Sequence, residues 1–228
     1  MRPGHPLDRP VWNALTARQA GLALGDARAV RFAPEYGLFA AAADDTSESL
    51  AALAALVPEQ GGVAVVEAAQ PPTVPGTVVA TQAMIWQMAA DRLTPAEAVA
   101  FEIVPLTEAD APQMLALAAL TEPGPFFART HQLGDFIGVK DGGRLMAMAG
   151  ERMKPTGFTE VSGVCTQPDA RGRGYAGALT RAVAARILAR DEQPFLHVYA
   201  HNTGAIGLYE ALGFSLRREM SMTVLTRG

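Results

Sequence analysis

A glycine-rich segment at residues 166–179 has the composition of an anion-binding loop. An apolar strand ends at Pro168, and the loop that leads into an Ala-rich helix contains Arg171, Gly172, Arg173 and Gly174. Glycines let successive N–H groups turn towards one point, and a helix N-terminus carries positive partial charge. The segment therefore predicts a pyrophosphate site, with an ordinary turn and solvated arginines as the alternative. Its spacing fits neither a Walker A loop nor the dinucleotide fingerprint.

A second segment, residues 202–214, combines an Asn start with a Leu-Tyr-Glu run and a closing Gly-Phe pair. Together the two segments resemble the GNAT superfamily of acyl-CoA-dependent N-acyltransferases, and within it the glycine N-acyltransferase-like branch. The loop is similar to the family's Gln/Arg-x-x-Gly-x-Gly/Ala motif at Arg171, Gly174 and Ala176. The second segment is similar to the family's final helix and strand at Asn202, Ala205, Leu208, Tyr209, Glu210, Gly213 and Phe214. The resemblance covers residues 101–228.

The resemblance implies that acetyl-CoA is the co-substrate and lies in a gap beside the strand that ends at Thr166. Backbone groups of Val164 and Thr166 would pair with the pantetheine amides, and the loop would meet the pyrophosphate. Asn202 would approach the pantetheine arm or only cap the final helix. The implied cofactor-binding set is Val164, Cys165, Thr166, Arg171, Gly172, Arg173, Gly174, Tyr175, Ala176 and Asn202. No metal ligand is expected.

Tyr209 matches the acid tyrosine of the family. A departing thiolate, whose thiol titrates near about 8.5, can take a proton from a phenol of pKa about 10 that is held against the sulfur. The resemblance therefore implies that Tyr209 is the general acid. A buried core tyrosine is the alternative interpretation.

An attacking amine must also lose a proton, because a lysine-like amine titrates near about 10.4. Glu160 on the cofactor strand and Glu151 at the end of the preceding strand are the candidate bases, acting directly or through a water. Each is otherwise a solvated strand residue. Phe126 and Phe127 are expected to line the acceptor site, whereas His197 is interpreted as a packed histidine.

The elements that must position these residues are hairpins followed by a strand–loop–helix–strand unit. Two strands, at 136–139 and 144–150, flank an Asp-Gly-Gly turn and predict a hairpin. We then predict a strand at 158–166, a helix to about residue 190, a strand at 195–200, a helix at 202–212 and a strand pair from 214 to 225. The predicted class is α+β, a GNAT fold whose central mixed, mostly antiparallel twisted sheet is flanked by helices.

The first half repeats this order without a cluster of reactive side chains. Its predicted elements are strands at 29–32 and 38–42, a helix at 50–57, strands at 61–67 and 77–88, and a loop at 71–76. The first hundred residues carry 6 basic and 10 acidic residues, and the remainder carries 13 of each. We predict a boundary at about 91–100, with an N-terminal α+β domain at 1–95 and a catalytic domain at 101–228. The N-terminal domain is a degenerate copy of the GNAT fold or, alternatively, unrelated.

Composition excludes several classes of protein. The 228 residues are 49% hydrophobic and 18% charged, which predicts a folded core, and a net charge of −4 with two lysines disfavours nucleic-acid binding. No apolar run reaches the roughly 18 residues that a membrane helix needs. One cysteine permits neither an internal disulfide nor a thiolate metal cluster. We expect a cytoplasmic protein with no metal centre.

The sequence thus predicts an N-acetyltransferase that moves the acetyl group of acetyl-CoA to a primary amine by direct attack in a ternary complex. The acceptor is a small molecule or a protein, and the enzyme is a monomer or homodimer. A non-catalytic acyl-CoA-binding sensor or interaction module is the alternative. The retained Tyr209 favours the enzyme.

Overall fold

The computed structural model describes residues 4–68, 73–95 and 98–228. Within these ranges the helices are Pro10–Leu15 (α1), Ser47–Ala55 (α2), Ala111–Thr121 (α3), Tyr175–Leu188 (α4) and Thr203–Leu212 (α5). The strands are Ala23–Gly25 (β1), Ala29–Phe32 (β2), Ala40–Ala42 (β3), Val63–Glu67 (β4), Thr77–Ala89 (β5), Val104–Pro105 (β6), Ile137–Asp141 (β7), Arg144–Glu151 (β8), Phe158–Thr166 (β9), Gln193–Tyr199 (β10) and Ser215–Arg227 (β11). The predicted loop at 71–76 and the predicted boundary at 91–100 lie partly outside the described residues.

One eight-stranded sheet carries most of the molecule, in the order β4-β11-β5-β10-β9-β8-β7-β6, and β1, β2 and β3 form a smaller sheet. In the large sheet β9 and β10 pair in parallel, and the other neighbours pair antiparallel. This confirms the predicted mixed, mostly antiparallel sheet flanked by helices. Because β4 and β5 precede residue 100, the sheet contains strands from both halves of the chain.

The parallel pair β9 and β10 is joined by α4, the crossover that parallel strands require. Leu179, Val183 and Ile187 recur every four residues on α4 and are fully or almost fully buried in the main apolar core of the second half. This apolar stripe holds α4 against the sheet and so fixes the loop at its N-terminus.

The strands β9 and β10 pair over only three positions, from Phe158 opposite Gln193 to Glu160 opposite Phe195. Beyond Glu160, β9 stays paired with β8, whereas β10 stays paired with β5 as far as Tyr199. Since each strand follows a different neighbour, the two diverge. The divergence opens a gap inside the sheet.

Most elements predicted from the sequence are confirmed, including the hairpin of β7 and β8, the strand β9 and the helices α2, α4 and α5. The predicted strand pair from 214 to 225 is wrong, because these residues form the single long strand β11. A register shift between Leu216 and Arg218 interrupts its alternation of inward and outward side chains. The short elements α1 and β1 were not predicted.

The first half contains a parallel contact of its own. Phe39, just before β3, forms a parallel bridge with Ala64 of β4, and α2 connects the two strands. None of the helices in the described part of the chain is long and apolar enough to cross a membrane.

Candidate active site

The loop between β9 and α4 has the backbone conformation of an anion cradle. Gly172 and Gly174 both have φ +79°, a left-handed value that favours glycine, and a Cβ on either would meet no atom within 4 Å. Gly174 begins α4 without a side-chain cap, and its carbonyl accepts from Ala178 N–H at 3.1 Å. The N–H groups that precede Ala178 have no carbonyl partner inside a helix, which is the arrangement that binds anions.

Charge and burial around the loop agree with this assignment. Arg171 and Arg173 are exposed, and neither forms an ion pair with a residue that the structure describes. A cavity of about 220 Å³ beside the loop is lined in part by Thr166, Tyr175 and Ala176. Among the described residues the Thr166 hydroxyl is buried without a hydrogen-bond partner. The cradle therefore offers N–H groups and two cations to a phosphate ligand.

The gap between β9 and β10 opens into a second cavity, of about 180 Å³. We call it the central cavity. Val164 lines it and Thr166 lines the cradle, so both cavities border the same face of β9, two residues apart. One extended ligand can therefore reach from the cradle into the central cavity.

Tyr209 lies on the buried face of α5, between Ile206 and Leu212, and lines the central cavity. Its ring packs against Phe214, with 6.2 Å between the ring centroids. Burial raises the pKa of Tyr209 to about 12. The phenol therefore keeps its proton at neutral pH and is available as a donor.

Glu160 lies fully buried at the point where β9 and β10 diverge. Its two oxygens accept from Arg152 Nε and Nη2 at 2.8 and 2.7 Å, and His197 Nδ1 lies 2.8 Å from Oε1. Burial by itself would raise the pKa of Glu160, but the charge of Arg152 and the hydrogen bonds from Arg152 and His197 outweigh it and hold the pKa far below its usual range. This geometry disfavours Glu160 as a base that acts directly on an acceptor.

Glu151 is likewise enclosed by cations. Lys154 Nζ lies 2.8 Å and Arg190 Nη2 lies 2.6 Å from its carboxylate oxygens. Neither Glu151 nor Glu160 lines the central cavity, whereas Arg152 and His197 do. The carboxylate that does line it is Glu122, at the end of α3.

The predicted acceptor residues Phe126 and Phe127 do not line the central cavity. The loop after α3 contributes residues 122–125 to the lining instead. Phe126 packs edge-to-face against Phe136, with 5.7 Å between centroids. The N–H of Phe127 donates to Thr130 Oγ1 at 2.7 Å. The contact with Phe136 thus anchors the loop after α3 through the ring of Phe126.

Three other predicted residues also have structural partners. The side chain of Asn202 accepts from Ala205 N–H at 3.2 Å and caps α5, while Asn202 also lines the central cavity. Tyr175 packs edge-to-face against Phe101, with 4.6 Å between centroids. Burial raises the pKa of Cys165 to about 11, so its thiol stays protonated.

Several side chains that complete the central cavity were not predicted from the sequence. They are Phe39, Val66, Ile85, Arg152 and Met222. No local pattern marks them, because β4, β5 and β11 reach the cavity only through the assembled sheet. Among the described residues, no group of three or more His, Cys, Asp or Glu side chains is placed to hold a metal ion.

Comparison with known proteins identifies the family. Residues 136–223 match the family model described as FR47-like protein. A crystal structure from Novosphingobium aromaticivorans, assigned to the GNAT family as an acetyltransferase, is 47% identical over 99% of this chain and 100% of that one, with a TM-score of 0.92. The chain belongs to the GNAT family. This confirms the family predicted from the two motifs and makes the protein an acyltransferase.

Two more distant GNAT structures share the fold. A GCN5-related N-acetyltransferase from Kribbella flavida is 16% identical over 96% of both chains, with a TM-score of 0.65. A GCN5-related N-acetyltransferase-like protein from Streptococcus suis is 15% identical over 94% of this chain and 92% of that one, with a TM-score of 0.60. At these identities the likeness concerns the fold alone. Among curated protein sequences, none matches this chain.

Proposed function

We propose that this GNAT protein transfers the acetyl group of acetyl-CoA to a primary amine by direct attack in a ternary complex. The observation that carries the proposal is the central cavity, which Tyr209 lines and which borders the same face of β9 as the glycine cradle. A thioester held from the cradle along β9 would reach the phenol.

The residues present fit acetyl-CoA. The N–H groups at the start of α4, with Arg171 and Arg173, would hold the pyrophosphate. Backbone groups of Val164 and Thr166 face the gap that β10 leaves open, and they would pair with the pantetheine amides. Asn202 uses its oxygen as a helix cap, which leaves its amide nitrogen for the same arm.

The proposed chemistry follows from these positions. The thioester supplies an activated carbonyl, the amine nitrogen forms a bond to the carbonyl carbon, and the carbon–sulfur bond breaks. After attack the nitrogen releases its surplus proton to solvent, while Tyr209 donates a proton to the departing sulfur and regains one from solvent. Glu160 and Glu151 would influence proton removal from the amine only through intervening groups, since cations engage both carboxylates. Glu160 does not line the central cavity, but its two partners Arg152 and His197 do.

A non-catalytic acyl-CoA sensor is the competing hypothesis from the sequence. A phenol turned away from the cavity would favour the sensor. Tyr209 lines the cavity, which supports the enzyme. The cytoplasmic location, the monomeric or homodimeric state and the choice between a small-molecule and a protein acceptor stay predictions.

We also propose that the N-terminal half is a degenerate copy of the GNAT fold, with domains at 1–95 and 101–228. The order β3, α2, β4 repeats the order β9, α4, β10, including a parallel contact between the strands. The loop between β3 and α2, residues 43–46, contains Asp44 and Asp45 and no glycine, which argues against an anion cradle in the repeat. Arg9 instead donates to the carbonyls of Ala42 and Ala43 and to Glu67 across the ends of β3 and β4. The assignment to the glycine N-acyltransferase-like branch stays a prediction. Calorimetry should accordingly give one acetyl-CoA site per chain, and two would contradict a degenerate copy.

Release of free CoA, followed with a thiol reagent across a panel of amines, tests the proposed activity. We expect release that depends on the amine, with the acetylated amine detected by mass spectrometry. A reaction without amine gives the hydrolysis background. Tight binding of acetyl-CoA with no amine-dependent release from any amine would contradict the proposal.

A further inference from the structure

The lining of the central cavity contains one carboxylate, that of Glu122, with no cationic partner among the described residues. Arg152 and the titratable His197 also line the cavity, and both contact Glu160. Glu160 neutralises the charge of Arg152 by accepting two hydrogen bonds from it. The Arg152 guanidinium also lies 4.7 Å from the ring centroid of Phe39. Glu122 is exposed and forms no ion pair with a residue that the structure describes. The cavity therefore favours a cationic group over a second carboxylate.

The backbone fixes Glu122 at the rim of the cavity. At the end of α3 it adopts φ 48° and ψ 55°, a left-handed conformation in which glycine or asparagine is preferred. Its N–H donates to the carbonyl of Ala118 at 2.8 Å. Pro123 and Pro125 restrict the loop that follows. These backbone constraints hold the Cα of Glu122 at the edge of the cavity that its side chain lines.

Part of the cavity lining is an apolar wall, formed by Phe39, Val66, Ile85 and Met222. Val66 lies opposite Met222 across β4 and β11, and Ile85 lies opposite Tyr199 across β5 and β10. These four side chains have no polar atom that could hydrogen-bond to a carboxylate. The wall therefore favours hydrocarbon.

We propose that the acceptor is an apolar primary amine without a carboxylate, whose ammonium binds Glu122 and whose body packs against the apolar wall. The inference rests on the acetyl transfer proposed above. The central cavity, of about 180 Å³, must also take the acetyl end of acetyl-CoA, so the body of the amine is small. Before attack, the ammonium gives one proton to Glu122 or to a water bound there, and solvent then takes it up.

Matched pairs of acceptors separate charge from size. Phenethylamine is phenylalanine without its carboxylate, isoamylamine is leucine without its carboxylate, and glycine is the smallest amino acid. We expect kcat/KM for each amine to exceed that of its amino acid, and that of glycine, at least ten-fold. An amino acid acetylated equally well would overturn the inference. Acetylation of spermidine or a peptide N-terminus alone would overturn the acceptor class but not the acetyltransferase, whereas no CoA release with any amine would overturn the proposed function itself.

A variant of Glu122 tests the ammonium site. Glu122→Gln removes the charge and keeps the size, so kcat/KM for phenethylamine should fall ten-fold or more while the KM for acetyl-CoA is unchanged. Glu59→Gln is the matched control, because Glu59 is an exposed carboxylate that lines neither cavity. An unchanged kcat/KM in Glu122→Gln would overturn the role of Glu122.

A variant of Met222 tests the apolar wall independently. Met222→Ala enlarges the cavity at a half-buried position. We expect the ratio of kcat/KM for 4-phenylbutylamine over phenethylamine to rise several-fold relative to the wild type. An unchanged ratio would place the acceptor body elsewhere and overturn the wall.

Discussion

Burial raises the pKa of two acids of the site, Tyr209 and Glu160, but charged partners reverse the outcome at Glu160. Tyr209 is buried without a charged partner, so burial raises the pKa of its phenol to about 12. Glu160 is buried more completely, yet the adjacent Arg152 charge holds its pKa far below the usual range. The phenol thus keeps its proton and the carboxylate loses its own. The first state suits a proton donor, and the second suits a fixed counter-charge.

Replacing Tyr209 by Phe removes the phenol proton and keeps the ring. We expect acetyl-CoA affinity and thermal stability to change little. Single-turnover acetylation should fall about 10²–10⁴-fold, equivalent to about 3–5 kcal/mol of barrier. Rapid-quench measurements are needed because product release can mask the step in steady state. Tyr36→Phe, outside both cavities, is the control. A full single-turnover rate in Tyr209→Phe would exclude the phenol as the acid.

The raised pKa of Tyr209 has a consequence for the pH profile. A general acid acts in its protonated form, so its contribution is lost only as pH rises through about 12. We expect the single-turnover rate at saturating amine to show no loss from phenol ionisation up to about pH 10, the usual tyrosine value. A decline that is centred near pH 9 and absent in Tyr209→Phe would contradict the buried position of the phenol.

Glu160 makes the free energy of unfolding depend on pH in the acidic range. Its pKa is lower in the folded than in the unfolded protein, so its stabilising effect is present above the unfolded value of 4.5 and is lost as pH falls below it. Glu160→Gln leaves Arg152 buried without its counter-charge and should cost about 3–5 kcal/mol of unfolding free energy at neutral pH. Urea denaturation measures this loss. The free energy of unfolding of Glu160→Gln should also decrease less than that of the wild type as the pH is lowered.

A matched control for Glu160→Gln is Asp26→Asn, which weakens the exposed ion pair with Arg28. Its free energy of unfolding should change little, since exposed pairs contribute little. If Glu160→Gln kept the acid dependence of the wild type, the buried ion pair would not be its source.

Among the elements, the divergence of β9 and β10 creates the site. Backbone pairing ends at Glu160 opposite Phe195, and His197 lies two residues further along β10. The contact between His197 and Glu160, at 2.8 Å, therefore ties the strands together where the backbone bonds stop. Gln87 of β5 lies 3.1 Å from the other ring nitrogen and supports the histidine from the next strand.

The loop before α4 is the second element on which the site depends. Gly174→Val places a β-branched residue at φ +79° in the cradle, and we expect acetyl-CoA binding to weaken by about 1–3 kcal/mol as charge-assisted bonds are lost. Isothermal calorimetry measures the change. Gly142→Val is the control, because Gly142 is also left-handed (φ +56°) with open space around it, but lies in the turn between β7 and β8. Equal affinity for both variants would remove the cradle from the site.

For the whole molecule, the decisive feature is that β5 lies between β10 and β11. Its pairing with β11 runs from Ala89 opposite Ser215 to Thr77 opposite Arg227. The second half thus takes a central strand from the first half. The first half in turn packs against β11 through β4.

This arrangement predicts that residues 101–228 do not fold on their own. Without β5, the neighbouring strands β10 and β11 lose their hydrogen-bond partner, and the core loses Met88 and Ala90. We expect no cooperative thermal transition by circular dichroism for the isolated fragment, in contrast to the full chain. A fragment that unfolds cooperatively and binds acetyl-CoA would show that the predicted domain boundary is also a folding boundary.

The local features of this protein follow from short stretches of its sequence. The turn at Asp141, the strand at Phe158–Thr166 and the glycines before α4 are set by neighbours within a few residues, where φ preference, capping and alternation act. The same local signals identified the two motifs of the GNAT family, because a cradle and a helix each occupy one continuous segment.

Which side chains share the central cavity depends on how distant strands assemble into the sheet. Val66 and Ile85 meet Met222 from more than 130 residues away, and no periodicity encodes that contact. Glu160 and Glu122 look alike in sequence, yet one is neutralised by Arg152 and the other faces the cavity. A carboxylate's role depends on its charge partners and its access to solvent, and both are fixed only when the strands assemble.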